Sequence, residues 1–221
     1  MFELKTEGFV IKRYMSFETD ETAIIFTKEY GKIFIKAKGT KKITSKLKTT
    51  LEVFSLNNYY LIKRNNNLKF FKLIQAKPVK IYENVRTSMN KIFLGYLIVQ
   101  LINKFVEPED ANRELYDITK NIFELLNEKS NISLDFLELF FKIKLLKYTG
   151  FNIINNLKYY ENLNISKKIQ DFILKIDKTI NLYSQDIDFE LMDNANIVIN
   201  NYIKSILGQD LNCFRLIDNM K

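Results

Sequence analysis

The sequence predicts an α+β protein, a five-stranded β-barrel over residues 1–78 followed by an all-α domain over residues 79–221. Three observations predict it. Five short runs rich in β-branched and aromatic residues occupy the first 77 residues, separated by polar or Gly-containing breaks. Beyond Pro78 the apolar period lengthens from two to about 3.6 residues. The charge balance changes at the same place: residues 1–80 carry 17 Lys or Arg against 7 Asp or Glu, and residues 81–221 carry 17 against 19.

The five predicted strands are residues 7–14, 22–28, 32–38, 50–63 and 67–76. In the third, alternation puts Ile33, Ile35 and Ala37 on one face and Lys32, Phe34, Lys36 and Lys38 on the other. One face is apolar, and the other is cationic with an aromatic. A long fourth strand feeds a hairpin through Asn65, Asn66 and Asn67, a spacing that suits a closed barrel of the OB type, with a small SH3-like barrel as the competing architecture.

Helical periodicity begins with Ile81, Val85, Met89, Ile92, Phe93 and Tyr96, one stripe of a helix predicted to end near Phe105, before Pro108. A second helix is expected from Asp110 to Asn127. A third starts after Ser133, an N-cap, and stops before Gly150; its Leu134, Leu137, Phe140, Phe141, Leu145 and Leu146 make it apolar nearly all round, so it is the expected centre of the helical core. Amphipathic stretches at Ile165–Ile176 and Phe189–Leu207, the latter stopped by Gly208, complete the domain. The short link at Pro78 predicts a barrel packed on a helical body.

Composition removes several chemistries. With no His and one Cys, Cys213, the 221 residues hold no Cys/His zinc site, no Ser-His-Asp or Cys-His nucleophile and no intramolecular disulfide. The Gly31–Lys32 pair lacks the upstream Gly of a phosphate-cradling loop. Acidic residues at the amino terminus and an apolar stretch, Ile92 to Ile102, broken by Gln100 predict neither secretion nor a membrane span, hence a cytoplasmic protein. Cys213 is expected to be a small packing residue.

The excess positive charge lies wholly in the first 80 residues, and a general Lys bias would have raised both parts together. The asymmetry therefore predicts a dedicated polyanion-binding domain. Its sharpest feature is Lys28, Lys32, Lys36, Lys38, Lys41, Lys42, Lys46 and Lys48 against one acid, Glu29. Binding a single strand without reading its sequence needs cations along a backbone track and flat side chains for bases. The candidate DNA-binding residues are Lys32, Phe34, Lys36 and Lys38, then Lys41, Lys42, Lys46 and Lys48 on the following loop, with Arg13 and Lys12 second-tier. A solvated strand edge that uses Lys to block pairing is the plainer reading of the same charges. Glu18, Asp20 and Glu21 read as a polar turn, with a Mg²⁺ nuclease as the minor alternative.

The segments TEGFVIKRY and FETDETAIIFTKEYGKIFIKAKGTKKITSKL resemble the start of the RecO family of bacterial recombination mediators. Thr6, Glu7, Gly8 and Val10 match its first strand, and Glu18 and Asp20 its acidic loop. Phe26, Thr27, Gly31 and Lys32 match the turn, and Ala37, Lys38, Gly39, Ser45 and Leu51 the segment beyond. Past residue 80 the likeness rests on the helical pattern, Gly150 with Phe151, and a final helix with Leu207 and Gly208. The resemblance implies an OB fold plus a helical domain and a non-enzymatic function. That function is binding of single- and double-stranded DNA, strand annealing, and work with RecR and single-stranded-DNA-binding protein (SSB) to load RecA.

Two departures accompany it. The four-Cys zinc module found in many members after Gly150 and Phe151 has no counterpart in Asn152–Asn164, so no metal or other cofactor is expected. Leu211, Asn212 and Cys213 stand where the family often has Lys-Ser after a Leu. SSB's acidic tail ends in an aromatic and needs a cation beside an apolar pocket; Lys142, Lys144 and Lys147 are the basic residues in apolar surroundings, with solvated positions on a core helix as the favoured reading. An OB-type RNA-binding or ribosome-associated factor is the alternative function. The expected location is the cytoplasm, in association with the nucleoid.

Overall fold

A computed structural model describes residues 2–15, 20–38, 49–63, 65, 69–128, 132–156, 165–179 and 188–209. The strands are β1 (Phe2–Met15), β2 (Glu21–Thr27), β3 (Gly31–Ala37), β4 (Ser55–Lys63) and β5 (Phe70–Ile81). They close in the order β1-β2-β3-β5-β4 and back to β1. β1 serves two neighbours, pairing β4 from Phe2 to Phe9 and β2 from Gly8 to Met15. Gly8 stands at the changeover because a Cβ there would lie 3.0 Å from the Phe26 carbonyl oxygen. The β3–β5 pair is parallel and every other pair antiparallel, so the barrel is of the OB type.

The helices are α1 (Met89–Phe105), α2 (Arg113–Asn127), α3 (Leu134–Tyr148), α4 (Lys167–Lys178) and α5 (Phe189–Leu207). Ser133 caps α3 through the Phe136 amide, and Gly150, at φ +85°, takes the left-handed turn after it. Gly208 does the same for α5 at φ +65°. α3 lies at the centre, buried from Phe136 to Leu146 apart from Glu138.

Several predicted boundaries move, β1 starting at Phe2 instead of residue 7 and α2 at Arg113 instead of Asp110. β5 continues through Pro78 to Ile81, and a 3₁₀ stretch, Glu83–Thr87, intervenes before α1 starts at Met89. The apolar stripe read as helix from Ile81 therefore spans three kinds of backbone. Residues 50–63 are likewise not one strand, since Thr49–Leu51 is a 3₁₀ turn and β4 begins at Ser55.

The barrel interior holds one core, with Ile25, Ile33, Ile35, Leu61 and Phe71. A larger core lies outside the barrel wall, where Phe9, Ile11, Ile24 and Phe26 meet the helices. β2 is therefore buried on both faces. Phe9 anchors the junction, its ring centroid 5.5 Å from those of Tyr116 and Phe123. The helical part also completes the wall: Lys32 pairs in parallel fashion with Pro108, and the Glu109 amide donates to the Lys32 carbonyl at 2.9 Å. This segment fills the place beside β3 that β5, starting at Phe70, does not reach.

Candidate nucleic-acid interface

Strand pairing sorts the predicted residues by side. Following partners across β1, β2, β3 and β5 gives one row of Lys12, Ile24, Phe34 and Phe70 and another of Tyr14, Thr22, Lys36 and Lys72. Both rows face outward, because the rows between them, such as Ala23, Ile35 and Phe71, fill the interior. Ile24 is covered by the helices, whereas Lys12, Tyr14, Lys36, Phe70 and Lys72 are exposed.

The seam between β3 and β5 is the centre of this surface. The Phe34 and Phe70 rings meet edge to face, centroids 5.9 Å apart and planes at 72°. Lys69 Nζ lies 4.6 Å from the Phe34 centroid, a cation over an aromatic face. Lys36 and Lys72 are direct partners one step along, and Lys38 is exposed at the end of β3. Across the wall Lys12 Nζ stands 4.8 Å from the Tyr14 ring. The acid that approaches is Asp20, 3.6 Å from Lys36 Nζ. Phe34 itself is half-buried, its inner edge against the helix-side core.

Lys32 does not belong to this surface. Its side chain is 7% exposed, and Nζ donates to the Asn103 carbonyl in α1 at 2.8 Å. Burial lowers its pKa, and the charge of Glu107 acts in the opposite direction. Alternation placed Lys32 outward correctly, but outward at that end of β3 is under the helical body. Arg13 is the second correction: it pairs with Ala23, in the row that turns inward. Nη2 donates to Glu21 Oε1 at 2.8 Å, and Glu21 is buried, so this cation is compensated at the barrel mouth.

Lys41, Lys42, Lys46 and Lys48 lie outside the described residues, as do Glu18, Asn152–Asn164 from residue 157 onward, and Leu211, Asn212 and Cys213. Asp20 and Glu21, the other acids of the predicted turn, are engaged with Lys36 and Arg13. Among the described residues no three His, Cys, Asp or Glu side chains are grouped to hold a metal ion, and no helix is long and apolar enough to cross a membrane.

Two of the α3 lysines, Lys142 and Lys144, are buried, whereas Lys147 stays partly exposed. Lys142 is fully buried, bonded to Glu138 and, at 2.7 Å, to the Asn200 amide oxygen. Lys144 donates to the Asp177 carbonyl, and Lys147 reaches the Asp177 carboxylate at 2.8 Å. They join α3 to α4 and α5.

Sequence reading missed Tyr14, Lys69, Phe70 and Lys72. Each is an ordinary exposed residue in its own segment. The signal is their register against Phe34 and Lys36, which exists only once β5 pairs in parallel with β3.

Comparison with known proteins follows the same two parts. The family described as recombination protein O, N terminal, matches residues 1–82, and recombination protein O, C terminal, matches residues 86–154. A protein of Clostridium perfringens named DNA repair protein RecO is 30% identical over 168 residues, 75% of this chain and 67% of its own length. The chain belongs to the RecO family. The RecO proteins of Alkaliphilus metalliredigens and Caldanaerobacter subterraneus are each 29% identical, over 147 and 148 residues, and this chain spans 58% of the length of either. Within this RecO chain the N-terminal match is the barrel and the C-terminal match runs from the 3₁₀ stretch before α1 to the turn after α3.

Proposed function

We propose that this RecO-family protein acts in DNA repair and recombination as a non-enzymatic mediator, binding single- and double-stranded DNA and annealing complementary strands. The observation that carries the reading is the β3–β5 seam, where Phe34 and Phe70 are bordered by Lys36, Lys69 and Lys72. Rings offer stacking surfaces to any base, and ammonium groups track the phosphates, so the surface suits single strands irrespective of sequence. Annealing then needs no acid or base. The new duplex supplies the driving force once two strands are held together with their phosphate repulsion screened.

Work with RecR and SSB in loading RecA is part of the same proposal.

The test replaces Lys36, Lys38, Lys41 and Lys42 together by Gln and follows annealing of SSB-coated complementary strands alongside SSB pull-down. The expected result is lost annealing with retained pull-down. Unchanged annealing overturns the site, and faster handling of RNA than DNA favours the RNA-binding alternative.

A further inference from the structure

The outer wall does not end at the Phe34–Phe70 seam. Pairing carries it from β5 onto β4 and the first half of β1, where it meets α2 at Glu7, the acceptor for Tyr116 and Lys120. Three successive rows cross these strands: Lys72, Ile62 and Glu3; Gln75, Tyr60 and Lys5; Lys77, Asn58 and Glu7. Two-residue steps separate the rows on β1 and β4 by about 7 Å. A bulge in β5, where the register shifts between Tyr60 and Leu61, adds Ile74 and gives this wall extra twist.

The middle and last rows line a groove of about 790 Å³, floored by Tyr60 and bordered by Lys5, Asn58, Gln75 and Lys77. Lys5 Nζ stands 5.8 Å from the Tyr60 centroid. Glu7 and Glu29 also line the groove and Glu3 stands beside Tyr60; Glu7 is paired with a cation, whereas Glu3 and Glu29 accept from neutral hydroxyls. Tyr60 donates to Glu3 at 2.7 Å, Thr6 to Glu29 at 2.6 Å, and Lys120 to Glu7 at 2.9 Å. Lys5 and Lys77 are exposed. An aromatic ring, two primary amides and two ammonium groups in one groove match a nucleotide unit: the ring stacks a base, the amides meet base-edge donors and acceptors, and the cations meet phosphate.

We infer that the groove over Tyr60 is a second base-binding subsite, and that single-stranded DNA runs from the Phe34–Phe70 seam across Lys72 to Tyr60. This rests on the DNA-binding reading above and deepens it by giving the strand a path. The helices explain the route. They cover Ile24, Phe26 and Lys32 on the β2–β3 wall and Phe9 and Ile11 on β1, so the uncovered wall is β3–β5–β4 with the first half of β1. The run from Phe70 to Gln75 along β5 is about 17 Å, which demands a strand of several nucleotides, within the range of roughly 4–16 seen for one barrel.

The experiment measures anisotropy of labelled oligothymidylates of about 4 and about 16 nucleotides with the full-length chain, its Tyr60→Ala and Tyr60→Phe variants, a Lys5→Gln/Lys77→Gln variant and a Phe34→Leu/Phe70→Leu variant. Tyr60→Ala and the double Gln variant should each weaken the long oligomer about five-fold or more and leave the short one unchanged, with Tyr60→Phe like wild type and thermal unfolding unaltered. Unchanged long-oligomer affinity, or equal loss for both lengths, overturns the subsite. If Phe34→Leu/Phe70→Leu still weakens both lengths in that case, the seam stands without it. Failure of the wild-type chain to bind either oligomer overturns both readings, and binding of the corresponding oligouridylate alone overturns DNA as the occupant.

Discussion

Gly31 and Asp110 touch where the barrel and the helical domain are joined. A Cβ on residue 31 would stand 1.8 Å from the Asp110 carbonyl oxygen, and Gly31 itself has φ +60°. Beside it Glu109, also at positive φ, donates its amide to β3 and its carboxylate accepts from the buried Lys63 at 2.7 Å. Gly31 thus meets two demands at once, a left-handed turn and a backbone approach that no side chain permits.

Gly31→Ala is therefore expected to destabilise the protein by about 3 kcal/mol or more, combining backbone strain with displacement of the 106–110 segment. Urea denaturation reads the loss. Limited proteolysis of the variant should open the junction first. A variant as stable as wild type would contradict the fit between Gly31 and Asp110.

Lys142 is a buried cation whose partners come from two helices, Glu138 on α3 and Asn196 and Asn200 on α5. Removing it leaves those groups facing a cavity, so Lys142→Ala should cost about 3–5 kcal/mol. Pairing Lys142→Met with Glu138→Gln should recover much of that loss, because the uncompensated charge is then gone. Thermal unfolding of the three variants distinguishes a buried ion pair from a solvated lysine, for which the cost would be near zero.

Stacking and charge at the β3–β5 seam respond differently to salt. Phe70→Leu should weaken single-strand binding by about 1–3 kcal/mol without altering the slope of log K against log salt. Replacing Lys36 and Lys72 by Gln should instead flatten that slope by about 0.7 for each phosphate no longer neutralised. Titrations at several salt concentrations check both.

Three tyrosine phenols sit at or inside the barrel wall. Burial raises all of them, with the Glu124 carboxylate adding to Tyr82 and the Glu7 carboxylate to Tyr116; at Tyr59 the hydrogen bond from Asn57 opposes the rise. In the unfolded chain these groups ionise near pH 10. Since the folded values are the higher ones, their stabilisation is complete below about pH 10 and is lost as the pH rises above it. Lys32 has the opposite sign, contributing stability as pH rises from its lowered value towards the ordinary lysine range. Denaturation as a function of pH should show stability falling above about pH 10, and Tyr82→Phe should remove one proton from that slope.

Local sequence determined which residues form elements and which face of each is apolar. Alternation separated Ile33, Ile35 and Ala37 from Phe34 and Lys36, and the start signal Ser133 and the stop signals Gly150 and Gly208 act where the sequence puts them, because caps and pleats are set by neighbours along the chain. Charge also located the basic domain. What covers an outward face is a different matter, decided by elements far apart in the chain. Lys32 and Lys36 share a strand, a face and a chemistry, yet α1 buries the first and leaves the second in water. Phe70 and Lys72 acquire meaning only from the parallel closure of β5 on β3. Lys142, Lys144 and Lys147 read as surface cations until α4 and α5 bring Asp177 and two asparagines against them. Periodicity records the side on which a side chain leaves the backbone; tertiary packing decides whether that side meets water, another chain segment or a ligand.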